Sequence, residues 1–375
     1  MSVSFVLAAG GTGGHVFPAE ALASELLGRG VSIHLASDGR ADAIARGLAG
    51  VETHRVRAGR FGGGPGRAVQ ACAQLALGVI QARQLLRRLA PTLVIGFGGY
   101  PSVPTMLAAA YLGIPTLVHE QNAVLGRANR LLAPRARRIA TGFPATTGLR
   151  LADRSRAVHT GNPVRPAILA VGDAGYRAPE PGRPIELLIM GGSQGARVLS
   201  EVVPSALGAL PRGLREVLRV SQQVRPEDLA IVAEIYRRTG IAAELSTFFD
   251  DVPARLTRAH LVICRAGASS IAELATIGRP AVLIPYPYAA DDHQTANARA
   301  FAETGSGWVI PQSGLSPSTL VPYLDRLLAD GAALSAAAHH AGAFGRRDAT
   351  QRLARLALGL VPGAGHSSEF HGRAA

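Results

Sequence analysis

Twice along the chain a short apolar run ends in a glycine-rich turn that opens onto a helical pattern. Such repeated starts restrict the fold to an α/β class built on parallel strands. The first is residues 3–9, followed by Gly10-Gly11-Thr12-Gly13-Gly14-His15 and a helical pattern over 18–27. The second is residues 185–190, followed by Gly191-Gly192-Ser193-Gln194-Gly195 and a helix through Leu210. Glycines at such a turn let the backbone approach a ligand, and the N–H groups of the following helix favour negative charge. His15, at the mouth of the first loop, adds a group that takes up a proton near neutral pH. The plain alternative for either loop is a tight strand-to-helix turn.

The glycine spacing departs from the dinucleotide fingerprint Gly-x-Gly-x-x-Gly. Counting from Gly11 and Gly13 places Val16 at the third position, and counting from Gly10 places Thr12 at the second. Asp38, after the strand pattern 32–36, stands where a ribose-binding acid would, which keeps a nicotinamide or flavin enzyme as a competing reading.

Strand patterns at 4–8, 32–35, 93–95, 116–118 and 138–140 alternate with helical patterns such as 19–27 and 69–89. This is the rhythm of a parallel sheet covered on both faces. A stretch rich in Gly, Pro and Ala over 161–184 interrupts it, and strand patterns resume at 185–190, 218–220, 243–245, 261–263 and 281–284. At 375 residues the chain can bury two sizeable cores. The expectation is therefore two Rossmann-like doubly wound α/β domains, 1–163 and 164–340, facing a cleft. A C-terminal helix over 341–360 and a disordered tail over 361–375 would follow.

No apolar run is long enough to span a membrane, since 105–118 is broken by Gly113 and Pro115. No basic residue precedes the first apolar run, which reads as a strand and not a signal peptide. Cys72 and Cys264 sit far apart in apolar patterns and read as buried free thiols in a reducing compartment. The charge is uneven: residues 1–170 hold 19 arginines against 7 acidic residues, and 171–375 hold 20 against 19. Every cation is an arginine. This one-sided field points to a polyanionic partner, an acidic membrane surface or a phosphorylated substrate. Nucleic acid is disfavoured, because aromatic residues make up only 5% and no reading motif accompanies the arginines.

Four clusters fall on strand-to-helix loops: 10–15, His119-Glu120-Gln121-Asn122, 191–195, and Arg265-Ala266-Gly267-Ala268-Ser269-Ser270 leading to Glu273. The last two suit a diphosphate, because glycine amides and serine hydroxyls at helix N-termini donate hydrogen bonds. Glu273, one turn in, is placed to accept from ribose hydroxyls. Joined with Gly161-Asn162-Pro163-Val164-Arg165 and Asp291-Asp292-His293-Gln294-Thr295-Ala296-Asn297, the ordered set resembles the MurG family of bacterial glycosyltransferases. The resemblance implies a GT-B fold with the donor mostly on the second domain. It also implies transfer of N-acetylglucosamine from UDP-N-acetylglucosamine to undecaprenyl-pyrophosphoryl-N-acetylmuramyl-pentapeptide, lipid I to lipid II, at the inner membrane face, with no cofactor. Carried over by position, Thr12, Gly13, Gly14 and Asn122 match residues that meet the donor sugar from the first domain. Arg165, Ser193 and the run Ala268, Ser269, Ser270, Ile271, Ala272 and Glu273 match those around the diphosphate and ribose. The backbone at Phe249 matches the uracil contact, and Gln294 a reader of sugar hydroxyls. Ser270 stands where many members carry threonine, and Phe249 where an aliphatic is commoner.

The same resemblance implies inversion at the anomeric carbon by direct attack of the muramyl 4-hydroxyl, which needs a general base. His15 is the first choice, with Glu120 and His119 as alternates; the His119-Glu120 pair also reads as a device that orients the Asn122 loop. No Asp-x-Asp motif lies near the donor loops, and the pairs Asp250-Asp251 and Asp291-Asp292 read as helix caps. No metal is expected, and leaving-group charge would fall to helix dipoles, Ser193 and Arg165. Competing readings are a diacylglycerol glycosyltransferase or UDP-sugar epimerase with a similar donor half, and a non-catalytic membrane-surface binder. The joint presence of His15, Glu273 and Gln294 speaks against the binder. Over 68–89, at about 100° per residue, Cys72, Leu75, Val79, Leu86 and Leu89 form one core-facing arc. Arg83, Arg87 and Ile80 flank it, with Leu77 and Arg88 on the far side. With Arg127, Arg130, Arg135, Arg137 and Arg138 in the same domain, this mixture predicts peripheral docking on anionic lipid, against the alternative of an ordinary helix with snorkelling arginines.

Overall fold

The computed structural model describes residues 3–10, 13–39, 50–59, 65–192 and 195–361. They divide into two compact units, the first drawn from Met1–Gln121, Leu125–Pro163 and Asp348–Ala375, the second from Asn122–Val124 and Val164–Arg347.

In the first unit the strands are β1 (Ser4–Ala8), β2 (Ser32–Ser37), β3 (Glu52–Arg55), β4 (Leu93–Gly96), β5 (Thr116–Glu120), β6 (Arg138–Thr141) and β7 (Ala157–His159). The helices between them are α1 (Gly13–Gly28), α2 (Pro65–Leu89), α3 (Ser102–Tyr111), α4 (Arg127–Leu132) and α5 (Leu151–Arg154). Among the described residues the strands form one parallel sheet in the order β3-β2-β1-β4-β5-β6-β7. Successive side chains of β1 point to opposite faces, and both faces are covered, which is why the strand is apolar throughout. Phe5 and Leu7 pack with Leu22 and Leu26 of α1, whereas Val6 and Ala8 pack with Ala82 and Leu86 of α2 and Met106 of α3. Each such side chain contributes about 1.5–3 kcal/mol on burial. Strand order reverses between β1 and β4, and a ligand crevice opens where the loops after two such strands diverge. Those loops are the one that begins at Gly10 and the one through Phe97-Gly98-Gly99.

The second unit repeats the plan with β8 (Ile185–Met190), β9 (Leu218–Gln223), β10 (Ala242–Ser246), β11 (Leu261–Cys264), β12 (Ala281–Leu283) and β13 (Gly307–Val309). Its helices are α6 (Pro166–Ala170), α7 (Arg197–Gly208), α8 (Arg212–Val217), α9 (Leu229–Thr239), α10 (Val252–Arg258), α11 (Ala268–Ile277), α12 (His293–Ala302), α13 (Pro317–Ala329) and α14 (Gly331–Phe344). The parallel order is β10-β9-β8-β11-β12-β13, so the reversal lies between β8 and β11. The loops there are the second glycine loop and 265–267.

Two expectations need correction. In place of one helix over 341–360, α14 ends at Phe344, and a separate helix, α15 (Ala349–Leu358), packs Leu353, Ala354 and Ala357 into the first unit's core beside Leu22 and Leu26. The break falls at Gly345, where a Cβ would stand 2.6 Å from the carbonyl of Ala275, so the chain passes α11 only without a side chain. On α2 the buried line is Ala71, Ala82 and Leu86, with Leu75, Val79, Leu85 and Leu89 partly buried against it, and Cys72 is exposed. Leu75, Val79, Leu86 and Leu89 of the expected arc do face the core, and Ala71 takes the place expected for Cys72. Cys264, by contrast, is buried, and burial together with the Glu273 charge pushes its thiol up to about 12. The expected tail lies almost wholly outside the described residues.

Candidate active site

The first unit gathers three polar side chains at its switch point. His15, in the first turn of α1, lies against Gly98 and Gly99, whose φ angles of +82° and +71° belong to the left-handed region. A Cβ on Gly99 would stand 3.3 Å from Cδ2 of His15 and 3.2 Å from the carbonyl of Gly10, so glycine is what admits the ring. His119, wholly buried at the end of β5, donates from Nε2 to the Gly161 carbonyl at 3.3 Å. A carbonyl only accepts, so the proton of His119 sits on Nε2 and its Nδ1 accepts from Gln121 Nε2 at 2.9 Å. The Gln121 Oε1 therefore faces His15 Nδ1, at 3.0 Å, and an amide oxygen also only accepts. In its neutral form His15 therefore carries its proton on Nδ1, which leaves the lone pair on Nε2. Burial pushes the His119 imidazole down to about 4, with the Gly161 hydrogen bond opposing and repulsion from His15 in its protonated form assisting. His119 thus stays neutral at physiological pH and passes its orientation along the chain.

Glu120 is engaged with the chain segment that follows it. Its carboxylate is buried, and Oε2 accepts from the Gly126 N–H at 2.8 Å and from Asn129 Nδ2 at 2.7 Å. Asn129 also donates to the His119 carbonyl, and Asn162 donates to the Gln121 carbonyl at 2.8 Å. One oxygen of Glu120 thus holds the segment that leads into α4.

In the second unit the loop after β11 runs into α11 with Gly267 at the N-cap and no side chain capping the first turn. The leading N–H groups of this ten-residue helix are thus not consumed by a cap. The Ser269 hydroxyl oxygen is buried and has no hydrogen-bond partner among the described residues. A buried orphan hydroxyl is costly unless a ligand completes it. Arg165 donates from Nε and Nη2 to Oε1 of Glu273 at 3.2 and 2.9 Å. Both bonds fall on one oxygen, which directs the other away from the pair. Burial raises the Glu273 carboxyl above its ordinary range, and the Arg165 charge and hydrogen bonds oppose the rise. Gln294 uses Oε1 to accept from the backbone N–H groups of Ala266 and Tyr286, at 3.2 and 3.0 Å. That fixes its amide plane and leaves Nε2 as the outward donor.

Ala268, Ser270, Ile271 and Ala272 lie on α11 with Ser269 and Glu273, so the structure brings this whole sequence-named run together with Arg165. Phe249 is buried, with the Arg255 guanidinium 3.9 Å above its ring. Gly13 and Gly14 open α1. Thr12 and Ser193 lie outside the described residues. Asn122, expected on the first domain, groups with the second unit, because the fully buried Asn297 donates to Asn122 Oδ1 at 3.0 Å and accepts from the Ala123 N–H at 2.8 Å. Asp251 and Asp292 do occupy N-cap positions, but neither side chain caps its helix: Asp251 accepts from Arg255 and Asp292 from the Thr295 hydroxyl. Sequence reasoning missed Gln121 and Asn297 as site residues. Both stand inside motifs already singled out, which was the available signal.

Comparison with known proteins places this geometry in a family. The Glycosyltransferase family 28 N-terminal domain matches residues 5–141, and the Glycosyltransferase family 28 C-terminal domain matches 186–353. A UDP-N-acetylglucosamine--N-acetylmuramyl-(pentapeptide) pyrophosphoryl-undecaprenol N-acetylglucosamine transferase of Paramagnetospirillum magneticum is 55% identical, over 95% of this chain and 96% of its own length. The protein of the same name from Rhodospirillum centenum is 53% identical, over 95% and 94%. Among solved structures, Acinetobacter baumannii MurG aligns with a TM-score of 0.78 at 30% identity, covering 95% of this chain and 99% of that one. With both domain models matched and identity above half across nearly the whole length, the chain belongs to the MurG family of glycosyltransferases and has the GT-B fold.

Proposed function

We propose that this chain is an inverting transferase that moves N-acetylglucosamine from UDP-N-acetylglucosamine to the 4-hydroxyl of undecaprenyl-pyrophosphoryl-N-acetylmuramyl-pentapeptide, making lipid II from lipid I in peptidoglycan synthesis. The substrates are those in the relatives' names. The observation that carries the chemistry is the fixed tautomer of His15, whose Nε2 lone pair is held ready by Gln121 and His119. In this reading the acceptor oxygen attacks the anomeric carbon, its proton passes to His15 Nε2, and the bond to the diphosphate breaks with its electron pair leaving on UDP. Glu120 acts by anchoring the loop and not as a base. The α11 N-terminus, Ser269 and Ser193 bind the diphosphate, and preorganised N–H and O–H dipoles stabilise the leaving charge. Glu273, steadied by Arg165, accepts from the ribose; Gln294 Nε2 reads a sugar hydroxyl; Thr12, Gly13, Gly14 and Asn122 line the sugar; and the Phe249 backbone meets uracil. Incubating the purified chain with labelled donor and a lipid-linked muramyl-pentapeptide analogue should give the β-linked disaccharide. Release of free labelled sugar without disaccharide would overturn the reading.

The same proposal includes peripheral attachment at the cytoplasmic membrane face. No described helix is long and apolar enough to cross a membrane. Instead, α2 exposes Val69, Leu77 and Ile80 together with Arg83, Arg87 and Arg88, and Val69, Ile80, Arg83 and Arg87 fall on one stripe. In the same unit Tyr111, 82% exposed, borders an open depression of about 720 Å³ walled by Arg135, Arg137 and Arg156. Apolar groups ringed by arginines suit an anionic lipid surface.

A further inference from the structure

At the edge of the first sheet, away from the transfer machinery, three metal-binding side chains converge. Strands β2 and β3 run parallel with His34 paired to Glu52 and Ala36 to His54. Residues two apart on a strand share a face, so the register alone puts His34, Glu52 and His54 on one side of the sheet. Their donor atoms meet: His34 Nδ1 lies 3.3 Å from His54 Nε2 and 3.4 Å from Glu52 Oε2, and His54 Nε2 lies 3.8 Å from the same oxygen. A tetrahedral zinc ion with bonds of about 2.0–2.1 Å to nitrogen and oxygen holds its ligands about 3.3–3.4 Å apart. The observed triangle is therefore close to one face of such a tetrahedron before any side chain moves. The rings are tilted by 40° to each other and not stacked, as two imidazoles sharing one ion require.

We propose that His34, Glu52 and His54 bind one divalent transition metal ion of the zinc class, with a water as fourth ligand, and that this ion ties the edge strand β3 to β2. Two imidazoles and one carboxylate are a donor set that selects zinc, cobalt or nickel over magnesium or calcium, which prefer all-oxygen sites. The Glu52 side chain is 64% exposed and those of His34 and His54 are 19% and 9% exposed, so the carboxylate is the ligand most open to solvent. The Arg88 charge also acts on His54. Arg88 repels a cation, and the Glu52 carboxylate offsets it. Edge strands present unpaired backbone, and an ion clipping β3 in place would fix its register.

The test uses the full chain, stripped of metal with a chelator and titrated with cobalt(II), whose visible absorption reports tetrahedral coordination. The site predicts tetrahedral-type bands that reach completion at one equivalent and are displaced by zinc. Zinc should also raise the melting temperature of the wild type. His34→Gln with His54→Gln should weaken zinc binding by roughly 100-fold or more and remove the thermal shift, while transfer activity of the metal-free variant matches that of the metal-free wild type. Glu52→Gln, at an exposed position that leaves packing intact, should weaken binding by at least roughly 10-fold. His339→Gln with His340→Gln should leave it unchanged. Zinc binding undiminished by the first two variants, or a cobalt spectrum of octahedral type, overturns the proposal.

Discussion

At the scale of single residues, the account turns on hydrogen-bond direction. Gln121→Leu keeps the volume but breaks both links of the chain, so His15 loses the acceptor that holds its proton on Nδ1. Turnover should fall by roughly 10–100-fold with donor KM nearly unchanged, as for a group that acts in the transition state; a rise in KM alone would make Gln121 a binding residue. For His119 the sign of the pH effect follows from its depressed value near 4. The unfolded ring binds a proton below about pH 6.5 and the folded one does not, so its contribution is complete above that pH. It is lost as pH falls towards 4, by up to about 3 kcal/mol. Urea midpoints at pH 7.5 and 4.5 should therefore drop further for the wild type than for His119→Asn, and equal drops would contradict a buried neutral ring. On the donor side, Glu273→Ala should weaken UDP itself, whereas Gln294→Ala should weaken UDP-N-acetylglucosamine and spare UDP; calorimetry that finds equal losses for both ligands in both variants would undo the assignment. Of these residues His15, Glu273 and Gln294 were legible in the sequence through their loops. Gln121 and Asn297 were not, because an amide side chain takes its job from partners distant in the chain: Gln121 from His15 and Asn297 from Asn122.

At the scale of elements, legibility tracked burial. β1 and β8 carry apolar side chains to two covered faces, and their bounds were read directly from the sequence. β3, with sequence Glu-Thr-His-Arg and no fully buried residue, is an edge strand held by backbone pairing to β2, so no apolar period announced it. The three-residue β7 and β13 are too short to show any period. α15 was readable as a helix, but its destination was not, because an amphipathic stripe names a core and not which core. That destination can be measured. The single tryptophan, Trp308, is partly buried against the second unit's core, and Leu353 lies within the first's. Leu353→Ala should cost about 2–5 kcal/mol. It should lower the far-UV dichroism midpoint of the first unit while the Trp308 fluorescence midpoint stays put; a matching shift in fluorescence would place α15 with the second unit.

At the scale of the whole molecule, the excess of arginine in residues 1–170 and the exposed apolar groups of α2 fall in one unit, and the groups assigned to UDP fall in the other. Reversing Arg83, Arg87 and Arg88 to Glu should abolish sedimentation with anionic vesicles, each arginine near the surface being worth about 1 kcal/mol, and should spare turnover of a soluble short-chain acceptor. Vesicle binding retained at low salt would remove the membrane role from this face. The central claim is that His15 is the base of the proposed transfer. His15→Ala tests it most directly, with UDP-N-acetylglucosamine binding followed by calorimetry and single-turnover transfer to the lipid-linked acceptor followed in the same preparation. The account predicts unchanged donor affinity with transfer slowed roughly 10²- to 10⁴-fold; transfer at the wild-type rate would contradict it.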